Sequence, residues 1–492
     1  MTPQQLGERD ILRFRTISDA QVSPDGRQVA FVLTEQDTAA DRQATSVWLV
    51  PADGSAESRR LTTGPRDSRP RWSPDGRRLA FLGAREREWA KDLHVLDLAG
   101  GEPVRIAELP RGITGYRWSP DGAHLCLLGG PEYPVDPDRE PAPNREEARR
   151  RYQERVRHVS RFRYRLDGQG VLDDEARQVW VVESSQGAQP RQVTDGDADA
   201  SSAAWMPDGR IAFLSNREPD HDRSGVTEVY AVPAGGGAVE RLTRYEKAMI
   251  AFRFAPDGTL ATVRSDWGTP YGGAHHRLWL GDECVTRDLD RTSTAVVLAD
   301  TMTGREALDP EWHDGWWYFE VSDAGSVHVY RAQAGRAPQL VLGGRRVVGS
   351  LSVASGRLAF VSSSPDDPVS LRVANADGTG ERVLFEPNAW VCDRSLGTLR
   401  AIDLQHGGET IDAWALLPPG FREGQRVPTL LYIHGGPHSA YGWSFPLALQ
   451  ILAGAGYAVV LCNPPGSQGY SQDFAQRVRA GWGEVDFPYF MA

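Results

Sequence analysis

Lysine is almost missing from this sequence. Lys91 and Lys247 are the only two in 492 residues, and arginine carries the rest of the positive charge. That bias is what a GC-rich genome produces. Acidic residues outnumber basic ones and leave a formal net charge of −11. A surface for nucleic acid or anionic membrane needs clustered positive charge, so neither partner is expected. Cysteine is scarce too. Cys126, Cys284, Cys392 and Cys462 share no metal-type spacing, and Cys126 and Cys462 lie in apolar runs. They read as reduced thiols, with no disulfide framework, no zinc and no cofactor. No apolar stretch approaches the length of a membrane span. The opening MTPQQLGERDILRFRT has no apolar core of the signal-peptide kind, so the expected location is the cytoplasm.

What is present is a repeat. VSPDG occupies residues 22–26, and WSPDG follows at 72–76 and 118–122. Weaker copies are WMPDG at 205–209 and FAPDG at 254–258. An apolar run follows each copy: RQVAFVL, RRLAFLG, AHLCLLG, RIAFLS, TLATV. HDGWWYFEV from His313 and ASGRLAFV from Ala354 fit the same slot. Asp25, Asp75 and Asp121 are 50 and 46 residues apart, and Asp208 and Asp257 are 49 apart. The gap of 87 between Asp121 and Asp208 is too long for one unit. Its Pro-rich, charged stretch reads as an insertion over about 131–168, with a short Arg/Glu helix around Glu146–Val156.

The chemistry of one repeat is legible. Proline presets φ, the aspartate side chain accepts nearby N–H groups, and glycine takes a positive φ. Alternating strands such as SVWLVPADG and EVYAVPAG follow about twenty residues on and end in Gly-rich turns, a hairpin signature. Short strands in units of this length indicate four-stranded propeller blades. The Trp or Phe before the proline is expected to wedge between neighbouring blades, a packing role rather than a ligand role. Arg161, Arg163 and Arg165 in the insertion could meet a peptide terminus, although such a run is more often a solvated face. The repeat resembles the propeller unit shared by Tol-type propellers and the prolyl oligopeptidase family, and by itself it does not separate a binding propeller from a peptidase.

After Asn388 the pattern changes. LRAIDLQHGGETIDAWALLPPGF reads as a hairpin with a His-Gly-Gly turn. Thr429–Ile433 reads as a buried strand of parallel-sheet type. SFPLALQILAGAGY reads as a helix with a glycine stop, and AVVLCNPPGSQGY as a second buried strand leading into a Gly-rich loop. Together they form a βαβ unit.

The segment LLYIHGGPHSAYG, with LLPPGF before it and NPPGSQGYSQDF and GWGEVDF after it, resembles the acylaminoacyl-peptidase branch of the prolyl oligopeptidase family of serine peptidases. The resemblance runs through the chain in order. It implies an N-terminal segment (1–14), an all-β seven-bladed propeller (15–390) and the start of an α/β-hydrolase domain (391–492). It implies peptide substrates and leaves homo-oligomerisation open. In that fold the loop after this strand gives one backbone N–H to the oxyanion hole. The backbone must approach the substrate closely there, which calls for glycine. The resemblance therefore assigns the Gly436 N–H as a donor, within an oxyanion loop of His434, Gly435, Gly436 and Pro437. His434 and His438 would shape that loop, and neither is the general base.

Three departures stand out. Pro465 occupies the place of the family's arginine in Asn-Pro-Arg-Gly-Ser. Tyr489 stands where the family has the second aspartate of its Asp-x-x-Asp helix. No Gly-x-Ser-x-Gly occurs anywhere. The triad order in this fold is Ser, Asp, His, so no catalytic residue is expected within these residues and all three are expected beyond Ala492. A chain of these 492 residues is expected to be inactive alone. A non-catalytic binding propeller and an esterase-type hydrolase are the alternative readings.

Overall fold

The structure is a computed structural model. It describes the whole chain except residues 1–3, 135–140, 160, 167–169, 173–174, 220, 269–272 and 303–308. The chain forms two compact units. One comprises Met1–Pro70, Ala261–Asp266 and Pro270–Ala492, and the other Arg71–Leu260 and Trp267–Thr269.

The Pro-Asp-Gly turns share one bonding pattern. In the first copy the Gly26 N–H donates to the Ser23 carbonyl at 2.8 Å, and the Arg27 N–H donates to Asp25 Oδ1 at 3.0 Å. The same two bonds recur in the copies ending at Gly76, Gly122, Gly209 and Gly258. Where serine precedes the proline, its hydroxyl also donates to the aspartate, as Ser23 does to Asp25 at 2.6 Å. These donors hold the Asp25, Asp75 and Asp121 carboxyls below their usual range, the serine hydroxyl first among them. The five glycines have φ between 69° and 88°, the left-handed region that the sequence anticipates. The two degenerate copies make a tighter turn. Asp314–Gly315 and Ser355–Gly356 are two-residue connections with positive φ at both positions, the geometry that matches strand twist.

Each turn leads into a strand with a large apolar side chain at its centre. Phe31, Phe81, Phe213 and Phe360 occupy equivalent places and are all fully buried. Removing a side chain of this kind from water contributes about 2–3 kcal/mol. Among the described residues the strands between 16 and 385 form seven four-stranded sheets and one two-stranded ribbon, Arg165–Leu166 with Gly170–Val171, which lies inside the insertion. Five of the seven lie wholly within one unit.

Neighbouring sheets are tied by the expected aromatics. In the second unit Trp118 Nε1 donates to the Arg71 carbonyl at 3.1 Å, and Trp205 Nε1 donates to the Arg117 carbonyl at 3.2 Å. Each acceptor is the residue just before the previous sheet's own tryptophan. In the first unit the first and seventh groups share a core of Ile17, Val22, Phe31, Val347, Val361 and Leu371. The Asp19 and Val22 N–H groups donate to the hydroxyls of Ser350 and Ser352 across that junction.

The excess interval enters between the strands His124–Gly129 and Gln178–Glu183, which pair directly with each other. The insertion helix covers Arg145–Glu154, with Asn144 accepting from the Glu147 N–H as its cap. It ends two residues earlier than the sequence suggests. Arg155 is extended, and Val156 is 97% exposed, so no apolar contact carries the helix further. Residues 135–140, 160 and 167–168 of the expected insertion lie outside the described residues.

The last hundred residues add a mixed four-stranded sheet, ordered Thr398–His406, Glu409–Leu417, Ala458–Cys462, Thr429–Leu431. The first two form the expected hairpin, turning on Gly407 and Gly408. The last two are parallel. The helix Leu447–Gly454 lies between them in sequence and packs Leu449 and Ala453 over Val459 and Leu416. One expectation is corrected. The strand expected to be buried over Thr429–Ile433 is three residues long, and Leu431, Tyr432 and Ile433 are 43%, 42% and 52% exposed. It is the edge of the described sheet, paired on one side only, so its apolar run is uncovered. The Ala458–Cys462 strand is the buried one.

Candidate functional site

The His434–His438 loop follows the C-terminal end of the Thr429–Leu431 strand, where open α/β sheets place their sites. Gly436 has φ 129°, and a Cβ there would come within 2.9 Å of Ser439 Oγ and 3.0 Å of the His438 nitrogen. Glycine is therefore required by both conformation and space. The Gly436–Pro437 peptide is cis. Among the described residues no backbone carbonyl accepts from the Gly436 N–H.

The histidines on either side bind the loop to the Pro464–Gly469 turn. His438 Nδ1 lies 2.8 Å from the Gly466 carbonyl, and since a carbonyl only accepts, this nitrogen carries the proton. His434 Nε2 is 3.0 Å from Ser467 Oγ, and its Nδ1 is 3.1 Å from the Gly435 carbonyl. Burial lowers the pKa of both imidazoles, and the two carbonyl contacts oppose that only in part. Ser467 is fully buried, so its hydroxyl does not meet substrate despite its histidine neighbour.

Behind the loop, Asn463 is the organising side chain. Its Oδ1 accepts from the Tyr441 N–H at 2.8 Å, and its Nδ2 donates to the Tyr441 carbonyl at 3.0 Å and to the Tyr470 hydroxyl at 2.9 Å. Tyr470 in turn donates to Asp412 Oδ2 at 2.7 Å. Burial, reinforced by the Asp412 charge, holds that phenol well above its ordinary pKa. The Tyr441 ring meets His434 edge-on at 5.1 Å. Ala440 pairs with Val297, and Gly442 lies so close to Gly325 that a Cβ would be 1.8 Å from its carbonyl oxygen. The segment after the histidines is thus strapped along residues 296–298 and 325.

A cleft of about 430 Å³ opens beside the loop, lined in part by Leu298, Asp300, Tyr432, His434, Tyr441 and Leu449. The Asp300 carboxylate accepts from the Leu447 and Ala448 N–H groups and caps the helix that forms one wall.

The structure brings together all the loop residues the sequence singles out. It adds Asn463, Ser467, Tyr441 and Asp300. The first two stand in the Asn-Pro-Pro-Gly-Ser run, whose position after a buried strand was the available signal. Tyr489, which replaces an aspartate of the family pattern, donates to Glu409 at 2.8 Å, and Glu409 also pairs with Arg477. No group of residues able to hold a metal occurs among the described residues. No helix of the described residues is long and apolar enough to cross a membrane.

The comparisons with known proteins agree with this arrangement. The profile of the prolyl oligopeptidase family matches residues 443–492. The uncharacterized peptidase YuxL of Bacillus subtilis is 26% identical over 97% of this chain and 73% of its own length. The fold matches that of Pyrococcus horikoshii acylaminoacyl peptidase, with a TM-score of 0.79 at 21% identity over 99% of this chain and 71% of that one. The β-propeller domain of the Trilobed protease from Pyrococcus furiosus matches over 76% of this chain, with a TM-score of 0.53 at 18% identity. The chain is mostly β, and its fold is similar to that of proteins carrying a β-propeller and a hydrolase domain. Its last fifty residues match the prolyl oligopeptidase family, and the chain is similar along its length to peptidases.

Proposed function

We propose that the seven strand groups are the blades of one propeller over residues 15–390, and that 391–492 opens the hydrolase domain of a serine peptidase acting on short or acylated peptides. The single observation that carries the site assignment is the Gly436 N–H, unpartnered at the end of a parallel strand beside a cleft. Such a donor stabilises the oxyanion of an acyl-transfer intermediate. The second donor in this fold is the N–H after the nucleophile. The propeller would admit only peptides able to pass it, which favours a peptidase over an esterase by analogy of fold.

The 492 residues hold no Gly-x-Ser-x-Gly. Without a nucleophile and its base, one oxyanion donor performs no acyl transfer. The purified chain is therefore expected not to react with a serine-directed fluorophosphonate and not to hydrolyse an acylated aminoacyl p-nitroanilide. Stoichiometric labelling together with turnover would show that a nucleophile lies within these residues and overturn the assignment.

A further inference from the structure

The hydrogen atoms around His434 can be placed by satisfaction alone. Two acceptors and two donors meet there. The Gly435 carbonyl, 3.1 Å from Nδ1, only accepts. The Pro464 carbonyl is within reach of the Ser467 hydroxyl at 2.9 Å and of the Ser467 N–H at 3.1 Å. If His434 carried its proton on Nε2, the lone pair of Nδ1 would face the Gly435 carbonyl, a repulsive contact. If the proton is on Nδ1, every group is served. Nδ1–H donates to the Gly435 carbonyl, the Ser467 hydroxyl donates to Nε2, and the Ser467 N–H keeps the Pro464 carbonyl satisfied.

That arrangement reaches the oxyanion donor through covalent geometry. The Gly435 carbonyl and the Gly436 N–H belong to one peptide unit. This peptide is trans, since the cis bond is the next one, and in a planar trans peptide C=O and N–H point in opposite directions. Holding the carbonyl toward His434 aims the N–H away from it. Glycine on both sides leaves the peptide plane otherwise free to turn, so an external hold is needed.

We propose that Ser467 is a positioning residue for the Gly436 N–H, acting through the imidazole of His434 on the Gly435–Gly436 peptide plane. Ser467 is fully buried and its hydroxyl meets no substrate, so its part is orientation, not chemistry. The proposal rests on the oxyanion reading for its purpose but not for its geometry.

The test uses the full 492-residue chain labelled with ¹⁵N histidine, with the His434 signals assigned by their loss in His434→Gln. The expected wild-type spectrum shows His434 protonated at Nδ1 and bare at Nε2. In Ser467→Ala the two nitrogens exchange character or average, while His438 keeps its Nδ1 proton on the Gly466 carbonyl. Ser467→Thr, which retains the hydroxyl, restores the wild-type pattern. A Gly435 carbonyl-¹³C, Gly436 ¹⁵N pair reads the second link, and its amide signal should move in Ser467→Ala and return in Ser467→Thr. A wild-type His434 protonated at Nε2 overturns the proposal without any variant. So does a Gly436 amide that Ser467→Ala leaves in place. No signal depends on turnover, so failure of the peptidase reading and failure of this proposal are separate results.

Discussion

Asn463 holds Tyr441 by both of its backbone polar groups, as a neighbouring strand would, but with a single side-chain amide. Only asparagine or glutamine offers a donor and an acceptor at this spacing. Asn463→Ala leaves the Tyr441 N–H and C=O without that partner in a buried place. A loss of about 3 kcal/mol is expected, since each orphaned buried group costs roughly 1–3. Urea unfolding followed by tryptophan fluorescence measures it, and a midpoint unchanged from wild type would remove the clamp from the account.

The sheet cores give a second expectation. Phe213 is fully buried and packs against Tyr230 at 6.1 Å between ring centres. Phe213→Ala should cost about 3–5 kcal/mol through lost transfer energy and the cavity left behind. Phe213→Leu should cost clearly less. The ratio of the two thermal shifts checks that packing, not surface effects, is responsible.

The repeated tryptophan bond separates polar from apolar contributions. Trp205→Phe keeps most of the ring volume but removes the Nε1–H bond to the Arg117 carbonyl. The expected loss is about 1 kcal/mol. Trp205→Ala removes the wedge as well and should lose several times more. Equal losses from the two variants would mean that the hydrogen bond alone ties the sheets.

Acid stability should depend on His275. It is fully buried, and burial first, then the neighbouring Arg277 charge, lowers its pKa from 6.5 to about 4; Asp290 at 3.7 Å opposes this weakly. The folded state therefore resists protonation that the unfolded chain accepts. Stability is full above the unfolded value of 6.5 and falls as pH drops from there toward 4, by up to about 3 kcal/mol for this shift. His276, held at about 4 by burial, adds in the same direction. His275→Gln should flatten the decline of melting temperature between pH 6.5 and 4. An equally steep decline in the variant would assign the acid sensitivity elsewhere.

Proteolysis should find the insertion first. Arg155 and Arg157 flank Val156, which is 97% exposed, just past the end of a short helix. Brief trypsin treatment should cut there before any strand of the four-stranded sheets is cut. N-terminal sequencing of the fragments identifies the site, and initial cleavage within 16–60 or 311–385 would contradict the order of local stabilities.

Much of this protein was legible one residue at a time because the signals are local. A turn needs proline, aspartate and glycine at fixed offsets, so five copies of Pro-Asp-Gly announced five turns of one bonding pattern. A loop whose backbone must approach a reacting centre needs glycine, so Gly436 could be named before its φ of 129° was known. Other features carry no local mark. Asp19, Arg69, Ser202 and Ser350 take positive φ in the first strands of their sheets, and no glycine signals it. The conformation is imposed by strand registers that shift at Ser18/Gln21, Ser201/Ala204 and Gly349/Ser352. The apolar run at Thr429–Ile433 looks buried, yet exposure depends on which strands lie beside it, and composition does not state neighbours. Asn463, Ser467 and Asp300 reach residues 22, 33 and 147 positions away in sequence. Contacts of that range exist only once the chain has brought the segments together, so sequence determined the turns, the sheets' cores and the glycine loop, while the tertiary structure decided what holds that loop in place.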